Sequence, residues 1–300
     1  MRGGVVSEAV LAINKPTGVS SREVVNRVGR VLGTKAVGHA GTLDPLATGV
    51  VVICVGKATK LVDFIHELPK SYRGVFQLGR SSPSDDVETE VTAEPAPVRP
   101  TAAAIEAAAA TQQGEILQRP CDYSAKQVGG QRAYRLARQG KPVSLAAKRV
   151  RIDRLEVVAY EWPRLELEVD CSTGTFIRAI GRDLAAAAGT TAVMESLVRN
   201  AVGPFAVGAA LPLAAVTPDA AGREAVMAAL QPPQHAVPQL PQQLLDETAL
   251  TTAAVGGLLQ LDVSTESLAA VTADGRMVGV LRRLPAGGYR LKPNFMVQSD

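Results

Sequence analysis

The sequence predicts an α+β fold, and three observations carry that expectation. Apolar runs of strand type occur at residues 9–13 and 50–55, yet helical stretches do not alternate with strands in a regular way. Residues 149–160 and 165–171 read as two adjacent long strands with partial alternation of apolar and polar positions. Near the end, residues 268–272 and 276–283 flank Ala273-Asp274-Gly275 and form a hairpin pattern. Separated helices and adjacent strands favour α+β over a doubly wound sheet.

Each element follows from local chemistry. Residues 9–13 form a short apolar strand, and Asn14-Lys15-Pro16-Thr17-Gly18 turns the chain. Ser20 and Glu23 make a capping box for a helix with Val24, Val25, Val28, Val31 and Leu32 on one face and Arg22, Arg27 and Arg30 on the other. Gly33 stops it. Three glycines and a proline make residues 38–49 a loop, which feeds the strand at 50–55. Residues 57–67 read as a helix and 70–78 as a strand, followed by an acidic loop. Pro95, Pro97 and Pro100 precede an alanine-rich helix at 102–110. After the two long strands, the turn Ser172-Thr173-Gly174-Thr175 leads into a helix at 176–188, and residues 197–207 are a further strand. Residues 231–243 hold four prolines, five glutamines and no charge, and read as a linker. The expected organisation is a catalytic domain over residues 1–230, a Pro/Gln-rich linker at 231–245 and a small β domain at 246–300.

Composition narrows the function. No apolar run reaches the roughly 20 residues of a membrane helix, and Glu8 and Lys15 interrupt any secretory signal, so the chain reads as cytoplasmic. Cys54, Cys121 and Cys171 are three scattered cysteines without a CxxC pair, which argues against a disulfide framework or a zinc ribbon. His39, His66 and His235 lack metal-ligand spacing, and no metal is expected. The net charge is only +3, but residues 1–60 carry eight Lys/Arg against three Asp/Glu, and residues 119–154 carry ten against two. An acidic stretch with Asp85, Asp86, Glu88, Glu90 and Glu94 separates them. Two basic stretches suggest a polyanion partner, with solvated helix faces as the alternative.

The glycine-rich loop is not a phosphate-binding loop. Gly56-Lys57 is followed by Ala58, and Val51 stands where that pattern needs glycine. What remains is one carboxylate, Asp44, on a turn stiffened by Pro45 and preceded by His39. Its residue type and setting fit a turn-forming Asp-Pro and a catalytic carboxylate equally.

The stretch GHAGTLDPLATGVVVICVGKATK at residues 38–60 resembles the signature of the TruB family of tRNA pseudouridine-55 synthases. Further pieces follow in the family's order. Lys15, Pro16, Gly18, Ser20 and Ser21 resemble its KPxGxSS opening, and Lys70-Ser71-Tyr72 its K-x-Y motif. Ser124-Ala125-Lys126 and residues 132–140 resemble its central basic segment. Residues 171–178, CSTGTFIR, and Leu197-Val198-Arg199 resemble two later motifs. Together they span roughly residues 9–207.

The resemblance implies a pseudouridine-synthase fold, with a central mixed, largely antiparallel sheet, flanking helices and a PUA-like C-terminal β domain. It implies isomerisation of a uridine in the tRNA T-loop without cofactor or metal, as fits a reaction with no redox step. Asp44 would be the catalytic carboxylate and Arg178 its cationic partner, because a carboxylate working as an anion in a closed pocket needs a neighbouring cation. Asp86 would be a second carboxylate beside Arg178, although Ser82-Pro83-Ser84-Asp85-Asp86-Val87-Glu88-Thr89 departs from the family's DTxDAxG and could be an exposed acidic loop. Tyr72 would stack the flipped base, His39 would help displace it, and Leu197 would line the pocket, with Arg199 in support. Phe176 stands where many relatives carry tyrosine, keeping the ring without the hydroxyl. The tRNA T-arm is the expected partner, met by a monomer with no obligate protein partner. A tRNA-folding chaperone on the same scaffold is the alternative of another class.

Overall fold

The computed structural model describes residues 8–123, 127–128, 131–132, 139 and 145–296. The segment Ser124-Ala125-Lys126 and most of residues 132–140, expected as part of a basic RNA contact, lie outside the described residues.

The strands, in chain order, are β1 (Glu8–Lys15), β2 (Val37–Ala40), β3 (Thr48–Gly56), β4 (Lys70–Leu78), β5 (Arg80–Ser81), β6 (Thr92–Ala93), β7 (Gly114–Gln118), β8 (Gln127–Val128), β9 (Gln131–Arg132), β10 (Lys148–Glu161), β11 (Arg164–Cys171), β12 (Ala192–Val202), β13 (Phe205–Ala206), β14 (Leu211–Pro212), β15 (Gln242–Leu244), β16 (Ser267–Val271), β17 (Met277–Arg283) and β18 (Tyr289–Asn294). The helices are α1 (Ser21–Leu32), α2 (Val62–Glu67), α3 (Ala102–Thr111), α4 (Ile177–Ala187), α5 (Ala220–Ala229) and α6 (Glu247–Ala254).

The large sheet runs β14-β1-β3-β12-β4-β11-β10-β7, with β2 added to β3 and β13 to β12. The β1–β14 and β3–β12 pairs are parallel and the rest antiparallel, so the sheet is mixed and largely antiparallel, as expected. A second sheet, β15-β16-β17-β18, closes the chain.

Side-chain alternation explains why β1 and β3 are apolar throughout rather than at every second residue. Leu11, Ile13, Val51, Ile53 and Val55 face helices α1 and α5, where Val24, Val25, Val28, Val31 and Val226 complete one core. Val10, Ala12, Val50, Val52 and Cys54 point the other way, onto Ala269, Val271, Met277, Val280 and Phe295 of the C-terminal unit. A strand covered on both faces reads as a continuous apolar run. In β11 only one face is covered. Leu165, Leu167 and Val169 are buried, while Glu166, Glu168 and Asp170 meet Arg73, Arg154 and Arg164 on the open side. Helix α4 lies close on the sheet because it carries Gly181, where a Cβ would sit 2.0 Å from the Phe76 ring.

Some expected boundaries shift for physical reasons. The helix expected at 57–67 opens as a 3-10 turn, Lys57–Leu61, before α2. Strand β12 starts at Ala192, because its register with β4 extends from Ala192–Leu78 to Val202–Lys70. Within the Pro/Gln-rich stretch, Pro233–Ala236 forms a 3-10 turn, and Ala236 and Val237 are buried against the large sheet. Among the described residues, no helix is long and apolar enough to cross a membrane.

Candidate active site

The site is built around the turn between β2 and β3. Gly49, with φ of 103°, lies so close to β12 that a Cβ there would meet the Arg199 carbonyl at 2.2 Å. Any side chain at this position would push β3 and β12 apart.

The turn is gripped by the segment after β1. Gly18 N donates to Pro45 O at 2.8 Å, and Thr17 Oγ1 donates to Leu46 O at 3.0 Å. Ser21 Oγ accepts from Leu43 N at 2.9 Å and donates to Leu43 O at 3.1 Å. Lys15 is fully buried, and its Nζ donates to the carbonyls of Pro16, Val19 and Pro45. Burial pushes the Lys15 ammonium down to about 8, against the attraction of Asp44. Arg199, only 2% exposed, holds the turn from the other side, with Nε to Val50 O at 2.6 Å and Nη2 to Gly41 O at 3.2 Å. Leu43 and Ala47 point into the core and leave Asp44 facing outward.

Arg178 is the meeting point of three loops. From the first turn of α4 its Nη2 reaches Asp44 Oδ2 at 3.1 Å and Tyr123 O at 2.9 Å. Its Nη1 reaches Asp86 Oδ2 at 3.0 Å and Ser84 O at 2.8 Å. Asp86 is fully buried and also accepts from Ser84 Oγ and Glu88 N. The acidic loop is drawn inward by main-chain pairing with β12, where Met194 N donates to Asp85 O and Val87 N to Met194 O. Asp85 turns the other way, with φ of 60°, and pairs with Arg182 at 2.9 Å. Burial opposes the Arg178 charge, but Asp44 and Asp86 outweigh it and keep the guanidinium firmly cationic.

Asp44 and Arg178 open into a cavity of about 450 Å³, whose walls include His39, His66, Lys70, Tyr72, Phe176, Leu197 and Arg199. That size suits a small ligand or a single extruded base. Tyr72 stands on β4 opposite Arg199 of β12 and Val169 of β11, so its main chain is held between two neighbouring strands. Burial raises the Tyr72 hydroxyl above its usual range, with Arg199 pulling the other way, so the phenol is neutral. His39 and His66 are pushed below the usual imidazole range, chiefly by burial, and present neutral rings. His39 Nδ1 is buried and has no hydrogen-bond partner among the described residues. All the residues expected in the site are thus gathered, with Asp86 reaching it from behind through Arg178 and the others lining the cavity. Among the described residues no cluster of His, Cys, Asp or Glu has metal-binding geometry.

Three contributors carry no role in the sequence reading. Lys15 and Ser21 belong to a quoted motif, and only the structure shows them clamping the Asp44 turn. Lys70, also buried, donates from Nζ to the carbonyls of His66 and Leu68. The basic surface is partly engaged: Arg27 pairs with Glu23, and Arg119, Arg151 and Arg154 each meet a carboxylate, whereas Arg22 and Arg30 are exposed. Isolated exposed pairs of this kind are weak.

Comparison with known proteins places the chain among relatives. The family model described as TruB family pseudouridylate synthase (N terminal domain) matches residues 29–177. The tRNA pseudouridine synthase B of Mycobacterium sp. strain KMS is 43% identical over 217 residues, covering 71% of this chain and 73% of that protein. The protein of the same name from Mycobacterium tuberculosis strain H37Rv is 44% identical over 205 residues, covering 67% and 69%. Among solved structures, a chain of the archaeal box H/ACA sRNP Nop10-Cbf5 complex superposes with a TM-score of 0.72 at 21% identity, covering 96% of this chain and 86% of that one. A chain of an H/ACA RNP bound to a substrate RNA containing 2′-deoxyuridine gives the same TM-score and identity. At that identity the likeness is one of fold.

Proposed function

This chain belongs to the TruB family of pseudouridylate synthases, and from that premise we propose that it isomerises uridine 55 in the T-loop of tRNA to pseudouridine. The observation that carries the reading is the Asp44–Arg178 pair, 3.1 Å apart, at a cavity walled by Tyr72. The relatives' name, tRNA pseudouridine synthase B, supports tRNA as the substrate.

The reaction breaks the N1–C1′ bond, turns the base and joins C5 to C1′. The C5 hydrogen leaves as a proton and N1 gains one, so atoms and electrons balance without a redox partner. Asp44 serves as the anionic group, whether it attacks C1′, adds to C6 or removes the 2′ proton. Arg178 holds it aimed from 3.1 Å away. Extruding the uridine costs a few kcal/mol, and stacking on Tyr72 returns roughly 1–3 kcal/mol. His39 helps displace the base, Leu197 and Phe176 close the apolar wall, and Arg199 and Asp86 support the two halves of the site. The RNA backbone meets Arg22, Arg30 and the basic stretch at 119–154.

The same reading takes residues 1–230 as catalytic, 231–245 as connecting and 246–300 as a PUA-like unit. It has the enzyme acting in the cytoplasm as a monomer. Chemical mapping of pseudouridine on an unmodified full-length tRNA transcript tests the site of action. A single new mark at the T-loop uridine is expected, and a mark elsewhere, or none despite binding, overturns it.

A further inference from the structure

We infer that Gln118 is a positioning residue for this reaction: its buried side-chain amide fixes the main chain of Phe176 and so aims Arg178 at Asp44. Gln118 ends strand β7 and is 1% exposed. Its Oε1 accepts from Phe176 N at 2.8 Å, and its Nε2 donates to Phe176 O at 3.1 Å. Only one orientation of the amide satisfies both contacts, and no other side chain of that length offers a donor and an acceptor side by side. Phe176 is the extended residue that opens α4, with φ of −100° and ψ of 108°, and its own side chain does not cap the helix. Gln118 therefore sets where α4 begins, and Arg178 follows two residues later. The chain just beyond Gln118 is tied to the same helix at two more points. Arg182 Nη2 donates to Arg119 O at 2.8 Å, and Arg178 Nη2 donates to Tyr123 O at 2.9 Å.

These contacts also give Gln118 its place in substrate use. It stands where the strand passes into the basic stretch at 119–154, so the segment proposed to hold RNA is joined to the helix that carries Arg178. A glutamate at this position would keep the acceptor but set a second oxygen against Phe176 O. A methionine would keep the length and lose both contacts.

The inference rests on the proposed reaction, and its test separates the two. Single-turnover rates at saturating tRNA transcript, dissociation constants by filter binding, and thermal midpoints are measured for wild type, Gln118→Met and Gln118→Glu. Both variants are expected to slow the chemical step by about tenfold or more with the dissociation constant within twofold, at a temperature where both are folded. A Gln118→Glu enzyme that turns over at the wild-type rate overturns the inference, as does a loss confined to binding, whatever Gln118→Met does. A wild-type enzyme that forms no pseudouridine overturns the reading of the reaction instead.

Discussion

Replacing Arg178 by methionine separates the two carboxylates it holds. Asp86 is fully buried and its Oδ2 has Arg178 as its cation, whereas the Asp44 side chain is 41% exposed and water can reach it. Removing one partner of a buried pair costs about 3–5 kcal/mol, because the other charge is stranded. For a chain of this size each kcal/mol lowers the thermal midpoint by roughly 2–4 °C, so the catalytic unit should melt roughly 6–20 °C earlier. Neutralising the stranded charge as well, in Arg178→Met with Asp86→Asn, should restore about half of that loss. The asparagine can still accept from Ser84 Oγ and Glu88 N, as Asp86 does. Turnover should not return, because Asp44 still lacks its cation. Differential scanning calorimetry and single-turnover pseudouridine assays on the same three proteins read the two effects. A stable single variant, or a double variant that regains turnover, would refute the assignment of Asp86 to support and Asp44 to chemistry.

Two further outcomes follow from the geometry. Tyr72→Ala should slow turnover roughly 5- to 150-fold, the equivalent of the 1–3 kcal/mol of a lost stack, and Tyr72→Phe should stay within about threefold; equal damage in rapid-quench assays would move the role from the ring to the hydroxyl. Lys15 is pushed from its ordinary 10.5 to about 8 in the folded chain. Between those values the unfolded chain holds more protons, so stability rises with pH there, while the cost of burying the ammonium is fully present below about 8. Turnover should move the opposite way, falling above pH about 8 as the grip on Pro45 loses its charge. In Lys15→Met the alkaline limb of the pH–rate profile should vanish at a lower overall rate, and a limb that persists would belong to Lys70, which is also lowered to about 8.

Much of the fold was legible because the apolar runs of β1 and β3 and the glycine-rich turn carry strong local signals. The Asp44 turn was legible only by resemblance, since an Asp-Pro on a turn has no chemical mark of its own. Asp86 was ambiguous because its burial comes from pairing with Met194, more than a hundred residues away. The roles of Lys15 and Gln118 gave no signal for a similar reason. The long-range contacts that define them, to Pro45 and Phe176, are with main-chain groups 30 and 58 residues distant, and main-chain groups are the same in every sequence. Helix α5 escaped because its alanines and glycine present only Gly222 and Val226 as buried positions, too few for a periodic stripe. The Pro/Gln-rich stretch reads as a linker by composition, yet Ala236 and Val237 are apolar enough to anchor a turn on the large sheet.

The role of Asp44 is tested by release of tritium from a tRNA transcript labelled at C5 of uridine, with wild type and Asp44→Asn compared at matched binding. One equivalent should be released by wild type and none above background by Asp44→Asn, with transcript affinity within about twofold. Release by Asp44→Asn at a rate near that of wild type would contradict it, because the reaction would then run without the carboxylate on which the site is built.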